Sequence, residues 1–145
     1  MTGTFSVFNQ PALILFDSGA SYSFISQKFS AKCQLPFYHT RGSFMIATPG
    51  SKVATNQLNQ SVPIWLGSNI VKTTLLILEL DNVDIILGAN WMTRHQVVLD
   101  VAIRIVEIQS PICGKFTLFL PSQETTRSCA FAMIELPLKK IPVVC

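Results

Sequence analysis

Short runs in which hydrophobic and polar residues alternate make up most of the chain, and Gly, Pro, Asn and Ser separate these runs. A period of two, rich in β-branched and aromatic side chains, is typical of β-strands with one buried face. The pattern predicts strands at residues 4–8, 12–16, 42–46, 53–59, 62–66, 70–78, 83–87, 103–108 and 115–120. We therefore expect an all-β domain in which helices are few and short.

Two segments fit short helices better than strands. Residues 23–31 place Phe24, Ile25 and Phe29 on one face after a serine that can cap the helix. Residues 89–95 allow two helical turns. Both segments suit small helices that pack against a sheet.

Turn signals indicate how the chain is organised beyond its single elements. The Pro49-Gly50 pair lies between two strand-like runs, so residues 42–59 are expected to form a protruding β-hairpin with a tight turn. After residue 110 the alternation weakens. We expect residues 1–110 to form one domain and residues 111–145 to be a C-terminal extension or linker that is partly disordered.

Composition restricts the class of protein. A chain of 145 residues has the size of one domain, and 49% hydrophobic against 13% charged residues excludes global disorder. The excess of apolar residues suggests burial against a partner or excision from a longer polypeptide. No apolar run is long enough to cross a bilayer, and the first residues do not resemble a secretory signal, so we expect no membrane partner and an intracellular, cytoplasmic location.

Charge and ligand-type residues argue against two further classes of function. The eleven basic residues are scattered and the net charge is only +3, so we expect this domain to bind no nucleic acid. The four cysteines lack any Cys-x-x-Cys spacing, and the two histidines do not lie at helical spacing from another ligand. We therefore expect no metal and no other cofactor.

The loop after the second predicted strand carries the clearest candidate chemistry. An apolar run at residues 12–16 ends abruptly in Asp17-Ser18-Gly19-Ala20, which delivers a carboxylate from a buried strand onto a loop. Gly19 permits a tight turn and Ala20 leaves space, so the loop can pack against a close neighbour. Two adjacent carboxylates share one proton and act as base and acid together, which one carboxylate cannot do. A second copy of the loop is therefore the expected neighbour.

These residues resemble the retroviral and retrotransposon aspartic proteases, or retropepsins, and especially the plant Ty3/gypsy type. The resemblance covers about residues 2–108. It rests on three segments, which are Leu15 to Ser21 followed by Phe24-Ile25-Ser26, the hairpin with Thr48-Pro49-Gly50, and Asp84 to Met92. The resemblance implies an all-β, closed barrel or sandwich of the retropepsin type, with one or two short helices and activity as a homodimer.

The resemblance also implies roles for individual residues. Asp17 would be the catalytic carboxylate, one per subunit, and the pair would hold the attacking water. Ser18 would form hydrogen bonds across the dimer axis, and Gly19 would let main-chain groups approach the water and the substrate. A flap and substrate-binding role is implied for Ala20, Ala47, Thr48, Pro49, Gly50 and Ser51. A structural role beside the active-site loop is implied for Ile86, Leu87 and Gly88.

The function that follows is that of an aspartic endopeptidase that hydrolyses peptide bonds of a retrotransposon polyprotein. Asp81, Asp84 and Asp100 are not followed by Ser/Thr-Gly, which excludes a two-lobed monomer with two such loops. Asp84 and Asp100 are interpreted as turn residues or as surface partners of the nearby Arg104 or Arg94. Since two coupled carboxylates titrate as a pair, the expected pH optimum lies on the acidic side of neutral.

Other interpretations of the same residues remain open. The chain could be a catalytically silent retropepsin-like module for dimerisation and peptide binding. Asp17 could cap local amides in a turn, or belong to a phosphorylated degron with Ser18 and Ser23, although the apolar run before it argues against an exposed degron. RNA packaging is a third alternative that the small net charge scarcely supports. Asn90 is expected to cap the second helix, and His95 to be a cation at its C-terminal end.

Overall fold

The computed structural model describes residues 1–48 and 51–121, and this part of the chain contains ten strands and two short helices. The predicted flap tip, Pro49-Gly50, and the predicted extension beyond residue 121 lie outside the described residues. The elements are β1 Thr2–Val7, β2 Gln10–Phe16, β3 Phe24–Ser26, α1 Gln27–Lys32, β4 Tyr38–Thr48, β5 Ser51–Leu66, β6 Asn69–Leu78, β7 Ile85–Leu87, α2 Ala89–Arg94, β8 Val98–Asp100, β9 Ile105–Ser110 and β10 Gly114–Phe119.

Six of these strands form a closed barrel in the order β1-β2-β7-β3-β6-β5, and the pair Ser6–Trp65 joins β5 back to β1. Strand β4 pairs only with β5, so the β4–β5 hairpin extends from the barrel. Strands β8, β9 and β10 form a separate antiparallel sheet. The predicted all-β class, with a closed barrel and two short helices, is confirmed.

The barrel forms because the strands bury alternate residues on one side. In β2, Ala12, Ile14 and Phe16 are buried, whereas the residues between them are partly exposed. Strand β2 pairs in parallel with β7, and Phe16 lies opposite Leu87. The residues that follow these two strands, Asp17 and Gly88, therefore leave the barrel side by side.

The helix expected over residues 23–31 is wrong in its first part. Phe24–Ser26 is the strand β3, which lies between β6 and β7, and the helix begins only at Gln27. Ser26, rather than Ser23, caps it by accepting a hydrogen bond of 2.9 Å from Phe29 N. A short apolar run buried on both faces has no helical or strand period, so its neighbours in the sheet decide its structure. The helix predicted at 89–95 is confirmed as α2.

Every predicted strand overlaps an observed one, with two differences in detail. The strands predicted at 53–59 and 62–66 are one strand, β5, interrupted by an irregularity between Asn59 and Val62. Strand β8 was not predicted, because three residues are too short to establish a period. The β9–β10 hairpin continues across residue 110, and the boundary of the domain stays a prediction.

Candidate active site

Asp17 is held in place by hydrogen bonds to strand β7 and within its own loop. Its backbone N donates to Leu87 O at 3.0 Å, which fixes the start of the loop on the neighbouring strand. Its Oδ1 accepts a hydrogen bond of 2.9 Å from Gly19 N, and its carbonyl oxygen accepts one of 3.1 Å from Ala20 N. The carboxylate is half-buried, and Ser18 and Gly19 are exposed. One carboxylate oxygen is thus held by a backbone amide while the loop around it stays open to a partner.

The junction between β7 and α2 lies directly against this loop. Ala89 N donates to Ala20 O at 2.6 Å, and Gly88 N donates to Ser23 Oγ at 3.0 Å. A Cβ atom at Gly88 would lie only 2.1 Å from Tyr22 O. Glycine is therefore required here by the close approach of two backbones, and the residues Ile86 to Gly88 lie beside the Asp17 loop.

Ser23 and Asn90 connect the two segments through their side chains. The Ser23 hydroxyl donates to Asn90 Oδ1 at 2.9 Å and accepts from Gly88 N, and Ser23 is buried. The expectation that Asn90 caps α2 is wrong, because Gly88 is the N-cap residue and no side chain makes the cap hydrogen bond. Sequence reasoning did not assign this role to Ser23, since its partner lies 67 residues away.

Two other acidic residues have backbone partners that account for their positions. Asp84 Oδ2 accepts from Leu13 N at 2.8 Å, which ties the segment before β7 to β2. Asp100 Oδ1 accepts from the backbone N–H groups of Ala102 and Ile103, as expected of a turn residue. Both carboxylates therefore hold backbone segments in place, Asp84 between two distant segments and Asp100 within one turn.

Three of the hairpin residues predicted to form a flap, Ala47, Thr48 and Ser51, lie on its two arms, and the other two, Pro49 and Gly50, lie outside the described residues. Ala47 pairs with Lys52, and Thr48 pairs with Ser51. The arm β4 contacts the neighbourhood of the active-site loop where the rings of Tyr22 and Phe44 lie 5.3 Å apart, edge to face. An apolar cluster below the hairpin consists of Phe24, Leu76 and Leu78, with the partly buried Ala20, Phe44, Ile46, Leu58, Leu80 and Ile86 against them. Residues of the loop, of β7 and of the hairpin thus share one apolar wall.

A groove of about 440 Å³ begins beside the active-site loop at Ser18 and runs along α2 to β8. Its lining is mostly apolar and includes Met92, Val97 and Leu99, together with Gln96. Hereafter this groove is called the Ser18 groove.

His95 follows α2 and is only 4% exposed, with its ring 4.9 Å from that of Trp91. Neither ring nitrogen has a hydrogen-bond partner among the described residues. Burial lowers the pKa of His95 below its ordinary value of 6.5, and the charge of Arg94 lowers it further. The expectation of a cation at the helix end is wrong, because the ring is packed in the core, where burial disfavours its charged form.

Within residues 1–48 and 51–121, no group of three or more His, Cys, Asp or Glu side chains is placed to hold a metal ion. In the same ranges, no helix has the length and hydrophobicity needed to cross a membrane.

Most of the chain matches the model of a known protein family. The family model described as "Retroviral aspartyl protease" matches residues 1–111. This chain belongs to that family. No curated protein matches the chain.

Two solved structures are similar to this chain. The retroviral protease-like domain of Ddi1 from Leishmania major is similar with a TM-score of 0.62 and 17% sequence identity, over 86% of this chain and 97% of that chain. The EIAV protease in complex with the inhibitor HBY-793 is similar with a TM-score of 0.48 and 22% identity, over 64% of this chain and 85% of that chain. The similarity to the Leishmania major domain and the family match show that the fold is retropepsin-like, as the sequence predicted.

Proposed function

We propose that this protein is an aspartic endopeptidase that acts as a homodimer, in which two Asp17 carboxylates, one per subunit, activate the attacking water. The observation that supports this function is the position of Asp17 at the open end of the β2–β7 pair, with one carboxylate oxygen held by Gly19 N at 2.9 Å. A member of the retroviral aspartyl protease family with its Asp-Ser-Gly loop intact has the groups that this chemistry needs.

The proposed reaction needs one shared proton. The ionised Asp17 takes a proton from water as the water oxygen attacks the peptide carbonyl carbon, and the protonated Asp17 of the other subunit donates its proton to the carbonyl oxygen. The first Asp17, now protonated, then donates its proton to the amide nitrogen, and the second Asp17, now ionised, takes a proton from a hydroxyl group of the tetrahedral intermediate as the C–N bond breaks. The two carboxylates end with one proton between them, so they are ready for another cycle.

The Ser18 groove supports the dimeric part of the proposal. A dimer that brings two Asp17 side chains together must also bring the exposed Ser18 residues close to its axis. The groove begins at Ser18, and Met92, Val97 and Leu99 give it an apolar lining that gains free energy when it is covered. We infer that the second subunit covers this groove.

The apolar wall below the hairpin supports a peptide as the substrate. Ala20 and Ile86 beside the loop, and Ile46 on the hairpin, belong to one cluster of half-buried side chains. An extended peptide between barrel and hairpin would cover this surface and add main-chain hydrogen bonds. We propose a retrotransposon polyprotein of the Ty3/gypsy type as the natural substrate, and the intracellular location stays a prediction.

The test is cleavage of a mixed peptide library at mildly acidic pH by the unaltered chain and by the variant Asp17→Asn. We expect the variant to lose cleavage by at least about a hundredfold, since general acid–base catalysis contributes on that order, while its dimer remains folded. The variant Asp81→Asn, at an exposed position, is the matched control and should keep full activity.

The opposite results are equally informative. Retained turnover in Asp17→Asn would remove Asp17 from the mechanism. A dimer of the unaltered chain that binds library peptides without cutting them would contradict the proposal and favour the catalytically silent binding module.

A further inference from the structure

Asn59 is the least exposed of the buried polar side chains, with 1% of its surface accessible. Its amide group makes two hydrogen bonds to different parts of the chain. Oδ1 accepts from Ser30 Oγ at 2.8 Å, and Nδ2 donates to Pro36 O at 3.0 Å. Neither Asn59 nor Ser30 takes part in the chemistry proposed above, so these contacts require a separate explanation.

The contacts lie at the root of the β4–β5 hairpin. Pro36 lies just before β4, whose first residue, Tyr38, pairs with Leu58. Asn59 directly follows Leu58 in β5, and Ser30 belongs to α1 on the barrel. One side chain therefore connects both arms of the hairpin to a rigid element, an arrangement that we call the Asn59 clamp.

The backbone is irregular on both sides of this clamp. The pairing of β5 with β6 shifts between Asn59 and Val62, where Ser61 has a φ of 50°. The pairing of β4 with β5 shifts between His39 and Phe44. Irregular pairing interrupts the ladder and bends a strand, so side-chain hydrogen bonds at this point can contribute to the direction of the hairpin.

We propose that the Asn59 clamp holds the hairpin in the orientation that places its arms over the Asp17 loop, so Asn59 is a positioning residue of the protease. An amide suits this role because it offers an acceptor to Ser30 and a donor to Pro36 at the same time. A second tie supports the hairpin farther along, where Thr55 Oγ1 donates to Ile77 O at 2.7 Å. The inference rests on the proposed function, since it assigns the hairpin the role of a flap.

The first test separates positioning from simple loss of folded protein. Ser30→Ala removes the hydroxyl donor to Oδ1 and leaves the Pro36 bond, whereas Ser30→Thr keeps a hydroxyl. A flap that binds substrate and transition state equally contributes to KM and not to kcat. We expect Ser30→Ala to raise KM at least fivefold with kcat per active site within twofold, and Ser30→Thr to restore KM. Lower kcat at unchanged KM would overturn the proposal.

The second test does not depend on activity and uses amide hydrogen exchange on the whole chain. Asn59→Leu removes both bonds and keeps the branched shape of the side chain, and Asn56→Leu is the matched control at an exposed position of the same strand. We expect at least tenfold faster exchange in residues 44–48 and 51–54 of Asn59→Leu and of Ser30→Ala, with β2 unchanged.

Exchange that is unchanged in these arms, or that accelerates equally in β2, would overturn the proposal. If the unaltered chain cleaves no peptide, the exchange measurement still decides whether the clamp orients the hairpin. Failure of the proposed function and failure of the Asn59 clamp are therefore distinguishable.

Discussion

Gly88 is the residue at which two backbones of the site come closest. Its φ of −97° is accessible to any amino acid, so the requirement for glycine is one of space alone. The atoms that a Cβ would meet, Tyr22 O at 2.1 Å and Ala20 O at 2.7 Å, belong to the backbone and cannot rotate away. The single hydrogen atom of this side chain thus permits the loop and the β7–α2 junction to meet.

We expect Gly88→Ala to lower the free energy of unfolding by about 1–3 kcal/mol, the usual cost of overpacking. The measurement is the midpoint of urea unfolding. Gly42→Ala is the matched control, because no atom lies within 4 Å of the Cβ position there. Equal midpoints for the two variants would contradict the steric argument.

The buried ring of His95 predicts a dependence of stability on pH. Its folded pKa is lowered by burial and then by Arg94, so below pH 6.5 the unfolded chain binds a proton that the folded chain does not. The free energy that the neutral His95 ring contributes to stability is fully present above pH 6.5, and it is lost as the pH falls towards the pKa of the folded state. The slope cannot exceed about 1.4 kcal/mol per pH unit for one proton.

Urea unfolding of His95→Phe between pH 7.5 and 5 measures this contribution by comparison with the unaltered chain. We expect the variant to lose less stability on acidification. The matched control is His39→Phe, which introduces the same side chain at an exposed position. Parallel pH profiles for His95→Phe and the unaltered chain would exclude the buried ring as the cause.

At the scale of elements, the site depends on one strand and one helix that are too short to form many internal hydrogen bonds. Strand β7 has three residues and α2 has six. Helices and strands of this length are not stable alone, so they depend on their partners for stability. The hydrogen bonds of Ser23 with Gly88 N and Asn90 Oδ1 supply one such partner.

A double-mutant cycle tests this connection between elements. Ser23→Ala removes the hydrogen-bond partner of both the Gly88 N–H group and the side-chain oxygen Oδ1 of Asn90. We expect this variant to lower the free energy of unfolding by about 1–3 kcal/mol. Asn90→Ala should cost less, because it breaks only one of the two bonds. The expected coupling energy from urea unfolding of the single and double variants is on the order of 1 kcal/mol. Additive effects would show that the two side chains act independently.

At the scale of the whole molecule, one chain carries one Asp17 loop, so the proposed activity belongs to an assembly. We expect Leu99→Arg to weaken dimerisation about tenfold or more, because it places a charge in an apolar groove that the second subunit covers in the proposed dimer. Sedimentation velocity over a dilution series measures the change in Kd. Ile112→Arg, at an exposed apolar residue outside the Ser18 groove, is the control. Weakened dimers in the control alone would place the interface elsewhere.

The sequence by itself determined the strand content and the candidate carboxylate, because these depend on neighbours along the chain. The continuous apolar run at residues 12–16 predicted a buried strand, and the abrupt end of that run marked Asp17. The family resemblance also implied a structural role for Gly88 beside the loop, and the structure supplies the distance that makes glycine necessary there.

Only the tertiary structure decided which distant residues meet. Closure of the barrel depends on the pair Ser6–Trp65, and Phe24–Ser26 becomes a strand because β6 and β7 lie on either side of it. The bonds of Ser23 with Asn90 and of Ser30 with Asn59 join residues 67 and 29 positions apart. Periodicity describes which face of an element is buried and not which partner buries it, and a polar residue acquires its role only when the fold supplies that partner.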